Sequence, residues 1–382
     1  MLISKPKPKS KPLTDFAKHM KDMVLEVPEN DSTNDVQAFH DFLHQFFDYI
    51  AAVGDAHNKP KPNANRVWGG VNFAMDYPFL RDMAVTLMNI AIYGEFNATG
   101  DALVVGGAEL TSSLKKAKVP KPAIYLRHLT DCGMEFLGID LDTEKPDLSK
   151  TQTLEVSYPD NPAMLIGLKR MAKAQLEVNK KRFKEGSWAY LNTIDNVFLR
   201  CDHNGIAGHK IEQMAMIIDI IKPFPPDTQQ LVLSLHQCLL AFNFKCDITT
   251  GRNSAIGFYL LYAHKTKPKQ VCHASWIIGI TPNNCDIKID AKHAKEYVDI
   301  IEKLPPDLLE VIQTGAGCIH DPVPHDSELK ANGFKFVIGG KEYYKCSAIG
   351  CSNNVFWIPL TDLSEEKNLA IKNWIERELE YA

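Results

Sequence analysis

Five cysteine and histidine side chains lie close together near the C-terminal end of this 382-residue chain. They are Cys318, His320 and His325 in GCIHDPVPH, and Cys346 and Cys351 in KCSAIGC. A structural zinc ion binds four thiolate or imidazole ligands, commonly as two close pairs joined by a longer segment. Gly350 permits a turn that directs both sulfurs of the second pair inward. The spacing therefore predicts a structural zinc site, although it lacks the Cys-x-x-Cys spacing of zinc ribbons.

The same cluster leaves other interpretations open. Cys346 and Cys351 could form a reversible disulfide, or all of these cysteines could be unliganded. A catalytic metal would need an open coordination position and a nearby base, for which Asp321 and Asp326 are the candidates. Acidic residues in loops usually form turns. The pattern therefore favours a structural metal over a catalytic one.

Two further groups of residues have side chains that could bind a metal ion or take part in catalysis. His40 and His44 are spaced i, i+4 on a predicted helix, a geometry that could hold zinc. The pattern supplies no nearby Glu or third ligand, so an ordinary helix surface is favoured. In CDHNG, Cys201 and Asp202 end a predicted strand, where consecutive side chains point to opposite faces. A turn is therefore favoured over a nucleophile with its base.

The motifs and the charge predict no nucleotide cofactor and no nucleic-acid partner. GAGCIH resembles the opening of a Gly-x-Gly-x-x-Gly loop, but it follows a predicted helix, whereas a dinucleotide loop follows a strand. Lysines in the N-terminal MLISKPKPKSKPL and in HKTKPKQ could contact phosphate, but solvated segments are favoured. The formal net charge of −4 provides no overall positive field that would attract nucleic acid.

Composition is that of a globular protein with 45% hydrophobic residues, and the length predicts two or three domains of about 150 residues each. No apolar run approaches the ~18 residues that span a bilayer. Lys/Pro alternation stands where a secretory signal would have an apolar core. Nine cysteines, an odd number, argue against a disulfide framework. We therefore expect a cytoplasmic protein with no membrane partner.

Hydrophobic periodicity predicts helices with buried stripes over residues 34–53 and 77–96. LEVSYPDNPAMLIGLKRMAKAQLEV predicts a strand, a turn and a helix, and NVFLRCDHNG predicts a strand. SAIGFYLLYAH and HASWIIGIT predict an antiparallel pair. AKHAKEYVDIIEKL, PPDLLEVIQTG and NLAIKNWIEREL predict helices. Hairpin-like strands grouped beside helices indicate an α+β fold with a mixed or antiparallel sheet.

Three segments share a faint internal repeat, namely LTDCGMEFL, LAFNFKCDI and LKANGFKFV. In each copy the pattern predicts that a helix ends on a left-handed Gly or Asn and that the chain then turns into a strand. Such a connection is common, so the recurrence needs no shared ancestry.

The chain is divided at composition changes into a disordered Lys/Pro tail (1–12), a mainly helical domain (13–118), a first αβ unit (119–205) and a second αβ unit with the Cys/His cluster (206–382). In the second unit, aromatic residues alternate on two neighbouring predicted strands; they are Phe258, Tyr259, Tyr262 and Trp276. One face of that sheet should pack on helices, and the opposite face could line a ligand groove. Core packing explains the same aromatic residues equally well.

LEVSYPDNPAMLIGLKRMA, FLRCD and the C-terminal cysteine region resemble an uncharacterised protein family of anaerobic Firmicutes, of the Clostridia type. The resemblance covers mainly residues 75–382. It implies no activity, because the family has no assigned one. Its members have a Cys-Asp-Gly-Gly-Cys-like turn before the final helix, and CSAIGC has one more residue between its cysteines.

The absence of a complete catalytic motif beside a well-formed sheet pattern favours a binding or regulatory module. Such a module would recognise an unknown small molecule or protein through the second unit, with zinc as a structural cofactor. The alternative is a metal-dependent enzyme that uses the C-terminal Cys/His cluster. The sequence leaves open whether the chain is an enzyme, because catalytic groups usually meet only in three dimensions.

Overall fold

The computed structural model describes residues 12–27, 33–60, 76–202, 213–250, 257–265, 276–281, 284–289, 293–315, 334–345, 356–360 and 364–381. In these ranges the chain forms helices and antiparallel sheets, which confirms the predicted α+β class and its N-terminal helical region. It divides into unit 1 (1–220 with 250–257) and unit 2 (221–249 with 258–382). None of the described helices has the length and apolar character needed to cross a membrane.

Unit 1 is mainly helical, with one small sheet. Its described helices are α1 (Leu13–Asp22), α2 (Asn34–His57), α3 (Pro78–Tyr93), α4 (Gly107–Lys116), α5 (Pro122–Thr130), α6 (Ala163–Lys180), α7 (Trp188–Asn192), α8 (Asn196–Leu199) and α9 (Gln213–Ile221), which ends at the boundary between the units. Its strands are β1 (Glu95–Phe96), β2 (Ala102–Gly106), β3 (Glu135–Leu137) and β4 (Thr153–Ser157), in the antiparallel order β1-β2-β4-β3.

The predicted helical stripes of unit 1 form its core. All five apolar positions that periodicity predicts for α2 are buried, namely Phe39, Leu43, Phe46, Phe47 and Ile50. The corresponding positions of α3 are also buried, namely Phe79, Leu80, Met83, Leu87 and Ile90. Helices α1, α2, α3 and α6 pack against each other through these stripes. A 3.6-residue period therefore located the buried face of α2, whereas α3 is buried on all sides from Phe79 to Ala91.

Helices α2 and α6 approach closely enough that one position of α6 has room only for glycine. A Cβ atom on Gly167 would lie 2.0 Å from the carbonyl oxygen of Asp35 and 2.9 Å from the Cβ of Phe39. The Arg170 guanidinium donates to the Asp35 carboxylate at 2.7 Å and to the Thr33 hydroxyl at 2.7 Å, beside the same contact. The start of α2 is therefore fixed against α6 by backbone contact and by an ion pair.

The predicted domain boundary near residue 118 lies inside unit 1. Arg81 of α3 donates to the carbonyl oxygens of Ala117 and Lys118, and it also pairs with Asp82. Asp82 in turn accepts a hydrogen bond of 2.9 Å from the hydroxyl of Tyr125 in α5. These buried bonds cross residue 118, because the segments before and after it share one core.

The strand predicted for NVFLRCDHNG is wrong. Residues 196–199 form the short helix α8, in which the Asp195 carboxylate caps the Val197 N–H at 3.2 Å. Cys201 then adopts a left-handed conformation with φ +52°. The apolar run is continuously buried, from Asn196 to Cys201, and periodicity alone does not separate a buried strand from a buried helical turn.

Unit 2 places helices beside a five-stranded sheet. The helices are α10 (Pro226–Ala241), α11 (Val298–Ile301), α12 (Pro306–Gly315) and α13 (Glu365–Tyr381). The strands are β5 (Phe244–Thr250), whose last residue is assigned to unit 1, β6 (Phe258–His264), β7 (Trp276–Thr281), β8 (Asn284–Ile289), β9 (Phe334–Ile338), β10 (Lys341–Lys345) and β11 (Phe356–Pro359). The large sheet has the order β11-β8-β7-β6-β5, and β9 pairs with β10.

Two predicted features of unit 2 are confirmed, and a third is corrected. Strands β6 and β7 form the predicted antiparallel pair, and Asn243 is left-handed (φ +65°) at the predicted turn from α10 into β5. The single helix predicted over 291–304 is instead a 3-10 turn at Ala294–Glu296 followed by α11. The interruption falls at Tyr297, whose φ of −136° is not helical.

The close approach at Gly167 gives a stability prediction. Gly167→Ala should destabilise unit 1 by about 1–3 kcal/mol, because the carbonyl that meets the new methyl group belongs to a hydrogen-bonded helix and cannot move cheaply. Chemical denaturation of the purified chain measures this cost. Ile166→Ala is the matched control, since that neighbouring side chain is 42% exposed and its loss should change stability by less than about 0.5 kcal/mol. A Gly167→Ala variant as stable as the wild type would contradict the described packing.

Candidate functional site

The sequence-predicted zinc ligands lie outside the described residues. This applies to Cys318, His320, His325, Cys346 and Cys351. Within the part of the chain that the structure describes, no three or more His, Cys, Asp or Glu side chains come together as a metal-binding group. The zinc site therefore stays a prediction.

The four aromatic residues of the predicted ligand groove do not share one sheet face. Phe258 and Tyr262 are 1% and 0% exposed and point into the core of unit 2 with Leu260. Tyr259 lies between them in sequence and points to the opposite face, where it is half-buried. The backbone of Trp276 pairs with that of Tyr262. The ligand-binding role of these four residues stays a prediction, with Tyr259 on the less buried face.

Cys201 lacks the properties of a catalytic nucleophile. It is fully buried, and burial, followed by the nearby Asp202 and Asp41 carboxylates, raises the pKa of its thiol to about 12. The thiolate is the nucleophilic form of cysteine, and this pKa keeps the thiol protonated at neutral pH. The structure therefore supports the sequence-based preference for a non-catalytic cysteine here.

On the less buried face of the large sheet, a carboxylate occupies a notch left by a glycine. Gly279 pairs with Tyr259 on one side and with Asp286 on the other. A Cβ atom on Gly279 would lie 2.6 Å from Asp286 Oδ1, so the carboxylate fills that space. Burial raises the pKa of Asp286 to about 7, while a hydrogen bond with the Gly279 backbone lowers it.

A second buried carboxylate, Glu378, holds the C-terminal helix in unit 2. The buried stripe of α13 consists of Ile371, Trp374 and Ile375, and Glu378 occupies its next position with only 1% exposure. Desolvation makes a lone buried carboxylate costly by several kcal/mol unless partners satisfy its oxygens. The Glu378 carboxylate must therefore accept hydrogen bonds from a specific set of donors.

Those donors come from the turn that precedes α11. Glu378 Oε2 accepts a short hydrogen bond from the Tyr297 hydroxyl. Glu378 Oε1 lies 3.0 Å from His293 Nδ1, and the His293 backbone N–H lies 3.3 Å from both carboxylate oxygens. Trp374 Nε1 donates to the Tyr297 hydroxyl oxygen at 3.2 Å. One carboxylate thus joins the 293–297 turn to α13.

These contacts shift the pKa of Glu378 and orient the ring of His293. Burial raises the pKa of Glu378, whereas its hydrogen bonds with Tyr297 and His293 lower it. A carboxylate beside Nδ1 favours the tautomer with its proton on that nitrogen, which leaves Nε2 of His293 as an acceptor. The His293 side chain is 27% exposed, and its ring stacks on Tyr381 with centroids 6.2 Å apart. A carboxylate that orients an accessible imidazole is an arrangement that suits ligand recognition or proton transfer.

The outward side of α13 forms a groove with α11 and the residues that follow α11. The groove encloses about 430 Å³ and is open to solvent. Its apolar lining comes from Ile300, Leu304 and Ala370, and its polar lining includes Lys303, Asn373 and Arg377. The Arg377 guanidinium pairs with Glu380 and lies 5.5 Å from the centre of the Tyr381 ring. The Glu378 network therefore supports the helix that forms one wall of this groove.

The sequence contains a signal for this site that the motif analysis missed. In NLAIKNWIEREL the apolar stripe continues from Ile371 through Trp374 and Ile375 to position 378, where a charged residue stands. Glutamate is almost never fully buried unless it is paired, so a glutamate at a stripe position predicts a buried partner. Its partners lie 81 and 85 residues away in sequence, beyond the range of any local pattern.

Comparison of the chain with protein-family models, with curated proteins and with solved structures gives no match. The functional argument therefore rests on the geometry of the chain's own residues.

The carboxylate of Asp286 gives a prediction for pH dependence. Its folded pKa of about 7 lies above the ordinary value of 3.8, so the folded state binds the proton more tightly. The contribution of this proton binding to the stability of the folded state is fully present below about pH 4 and is lost as the pH rises through 7. The free energy of unfolding of Asp286→Asn, relative to that of the wild type, should therefore increase by about 2–4 kcal/mol from pH 4 to pH 8, because each pKa unit is worth about 1.4 kcal/mol.

Denaturant titrations of both proteins at the two pH values measure this difference. Asp247→Asn is the control, since Asp247 is exposed on β5 and its substitution should change stability by less than about 0.5 kcal/mol. A stability difference for Asp286→Asn that is constant from pH 4 to pH 8 would show that this carboxylate is not desolvated in the folded chain.

Proposed function

We propose that this protein is a cytoplasmic, non-enzymatic module that binds another protein, and that the partner docks in the groove between α11 and α13. The observation that carries this proposal is an open groove, lined by apolar and charged side chains, on a helix that a buried carboxylate holds in position. The predicted structural zinc of the C-terminal Cys/His cluster remains part of the proposal as a separate stabilising element.

The shape of the groove favours a protein segment over a small molecule. Sites for small molecules usually bury about 70–90% of the ligand's surface inside a concave cavity. This groove is open along α13 and follows residues 370, 373, 377 and 380 of that helix. A groove of this form accommodates an amphipathic helix, whose apolar side chains at i, i+3, i+4 and i+7 enter it.

Two exposed apolar side chains extend the same surface. Leu369 is 59% exposed at one end of the groove and Tyr381 is 40% exposed at the other end of α13. These residues are separated by twelve positions, or about 18 Å along a helix. The face of α13 between them carries Asn373, Arg377 and Glu380, so a partner helix of about three turns would meet apolar contacts at both ends and polar contacts between them.

The charges at the edges of the groove specify the partner further. Lys303 and Glu376 carry opposite charges there, whereas Arg377 and Glu380 already neutralise each other. We expect the partner helix to present an acidic residue toward Lys303 and a basic residue toward Glu376. Complementary charges of this kind contribute more to specificity and association rate than to affinity.

Site-specific photo-crosslinking tests the proposal. A photoreactive phenylalanine analogue replaces Asn373 in the groove of the full chain, produced at native level in its native cells. We expect one discrete crosslinked protein, identified by mass spectrometry, whose yield falls at least about fivefold when Leu369→Glu is added, because a charge then faces the apolar contact. A crosslink to a second copy of this chain would identify the partner as the protein itself.

The matched control places the same analogue at Ile166, an exposed residue of α6 in unit 1. The proposal requires that the discrete product be absent there. The absence of a product at position 373, equal products at both positions, or a product at 373 that Leu369→Glu leaves unchanged would each contradict docking in this groove.

A further inference from the structure

Two histidines on one turn of α2 are already positioned as a chelating pair. His40 and His44 lie four residues apart on a 24-residue helix, and their Nε2 atoms are 3.4 Å apart. Two imidazole nitrogens bound to one tetrahedral metal ion at 2.0–2.1 Å are separated by about 3.3–3.4 Å. The two rings therefore need no rearrangement of the helix to bind the same ion.

We infer that His40 and His44 form a binding site for a divalent transition-metal ion in unit 1, through their two Nε2 atoms. Water would supply the remaining ligands, because among the described residues no third His, Cys, Asp or Glu joins the pair in a metal-binding group. The site is thus open, unlike a structural zinc site with four protein ligands. This inference is independent of the groove in unit 2.

The surroundings of His40 have the form of a second coordination shell. Asp41 Oδ1 lies 3.1 Å from His40 Nδ1, and Gln37 Nε2 lies 3.2 Å from the same nitrogen. Gln37 Nε2 also donates a hydrogen bond of 2.8 Å to Asp41 Oδ1, and with its N–H directed there the His40 Nδ1 can donate to the carboxylate. A carboxylate that holds the proton on Nδ1 leaves the Nε2 lone pair available for a metal and makes it more basic. Gln37 fixes the position of that carboxylate in turn.

The pair shares a proton when no metal is bound. With His40 protonated on Nδ1, its Nε2 accepts the Nε2–H of His44, which accounts for their 3.4 Å separation. A metal ion takes the place of that shared proton, and His44 moves its own proton to Nδ1.

Electrostatics around the pair permit a cation. Burial, followed by His40 and Lys21, lowers the pKa of His44, whereas Asp41 and Asp48 raise it. Lys21 of α1 forms an ion pair with Asp48 at 2.7 Å, which reduces its repulsion of a bound cation. The His40 side chain is only 13% exposed, so its ring is restrained before the metal binds.

The ligand type defines the ions that would bind. Two imidazoles and water favour Cu²⁺, Ni²⁺, Zn²⁺ and Co²⁺, with Cu²⁺ bound most tightly. Mg²⁺ and Ca²⁺ prefer oxygen ligands and should not bind. Because both ligands belong to α2, a bound ion would stabilise that helix, which packs against α1 and α6 in the core of unit 1.

Calorimetric titration with NiCl₂ tests the site in the full-length chain after treatment with EDTA. The background carries Cys346→Ser and Cys351→Ser, which removes two of the five predicted C-terminal zinc ligands. We expect one Ni²⁺ per chain in this background, and a loss of affinity of about 100-fold in His40→Ala and in His44→Ala, since a chelating pair becomes a single ligand. The Ni²⁺-induced rise in melting temperature should disappear in both variants.

The control variant is His57→Ala, which removes an exposed histidine from the same helix and should leave Ni²⁺ binding unchanged. His40→Gln and His44→Gln keep a polar side chain, and melting curves in EDTA verify that each variant is folded. Equal stoichiometry and affinity in the background protein, His40→Gln and His44→Gln would overturn the inference, as would the absence of Ni²⁺ binding in the background protein.

Discussion

The proposed binding surface of unit 2 depends on one buried carboxylate, that of Glu378. Its desolvation is unfavourable by several kcal/mol, and the stabilisation that offsets this cost comes from Tyr297, from the imidazole of His293 and from the His293 backbone N–H. These donors all belong to the turn before α11, so α13 has a defined position only where that turn is formed. The requirement also accounts for the broken helix over 291–304, because Tyr297 leaves the helical conformation at the point where its hydroxyl reaches the carboxylate.

In unit 1, buried polar side chains likewise join one segment of the chain to the next. Asn179 of α6 donates to the carbonyl oxygens of Tyr190 and Thr193, and Asp195 pairs with Arg182 at 3.2 Å. Such networks stabilise a single arrangement when every member is satisfied. They account for many of the buried polar groups of this unit without assigning them any chemistry. The His40–His44 pair differs, because its two Nε2 atoms face each other at the separation that one metal ion requires.

The sequence predicted the parts of the fold that depend on local periodicity. The stripes of α2 and α3, the β6–β7 hairpin and the left-handed Asn243 all follow from patterns within about twenty residues. The strand predicted over FLRCD failed because a fully buried run has no period to measure. The candidate site was missed for a different reason: Glu378 and its partners meet only through tertiary packing, 81 and 85 residues apart. A glutamate at a position of the apolar stripe in NLAIKNWIEREL was the available signal.

Hydrogen exchange of the whole chain, followed by mass spectrometry, tests most directly whether Glu378 holds α13 in place. In Glu378→Ala, we expect the amides of residues 374–381 and 294–301 to exchange at least about tenfold faster than in the wild type, a change worth about 1.4 kcal/mol. Glu376→Ala, which removes an exposed carboxylate from the same helix, should leave those rates unchanged. Neither variant should change the exchange rates in the core of unit 1. Identical exchange of α13 in Glu378→Ala and in the wild type would contradict the role assigned to this carboxylate.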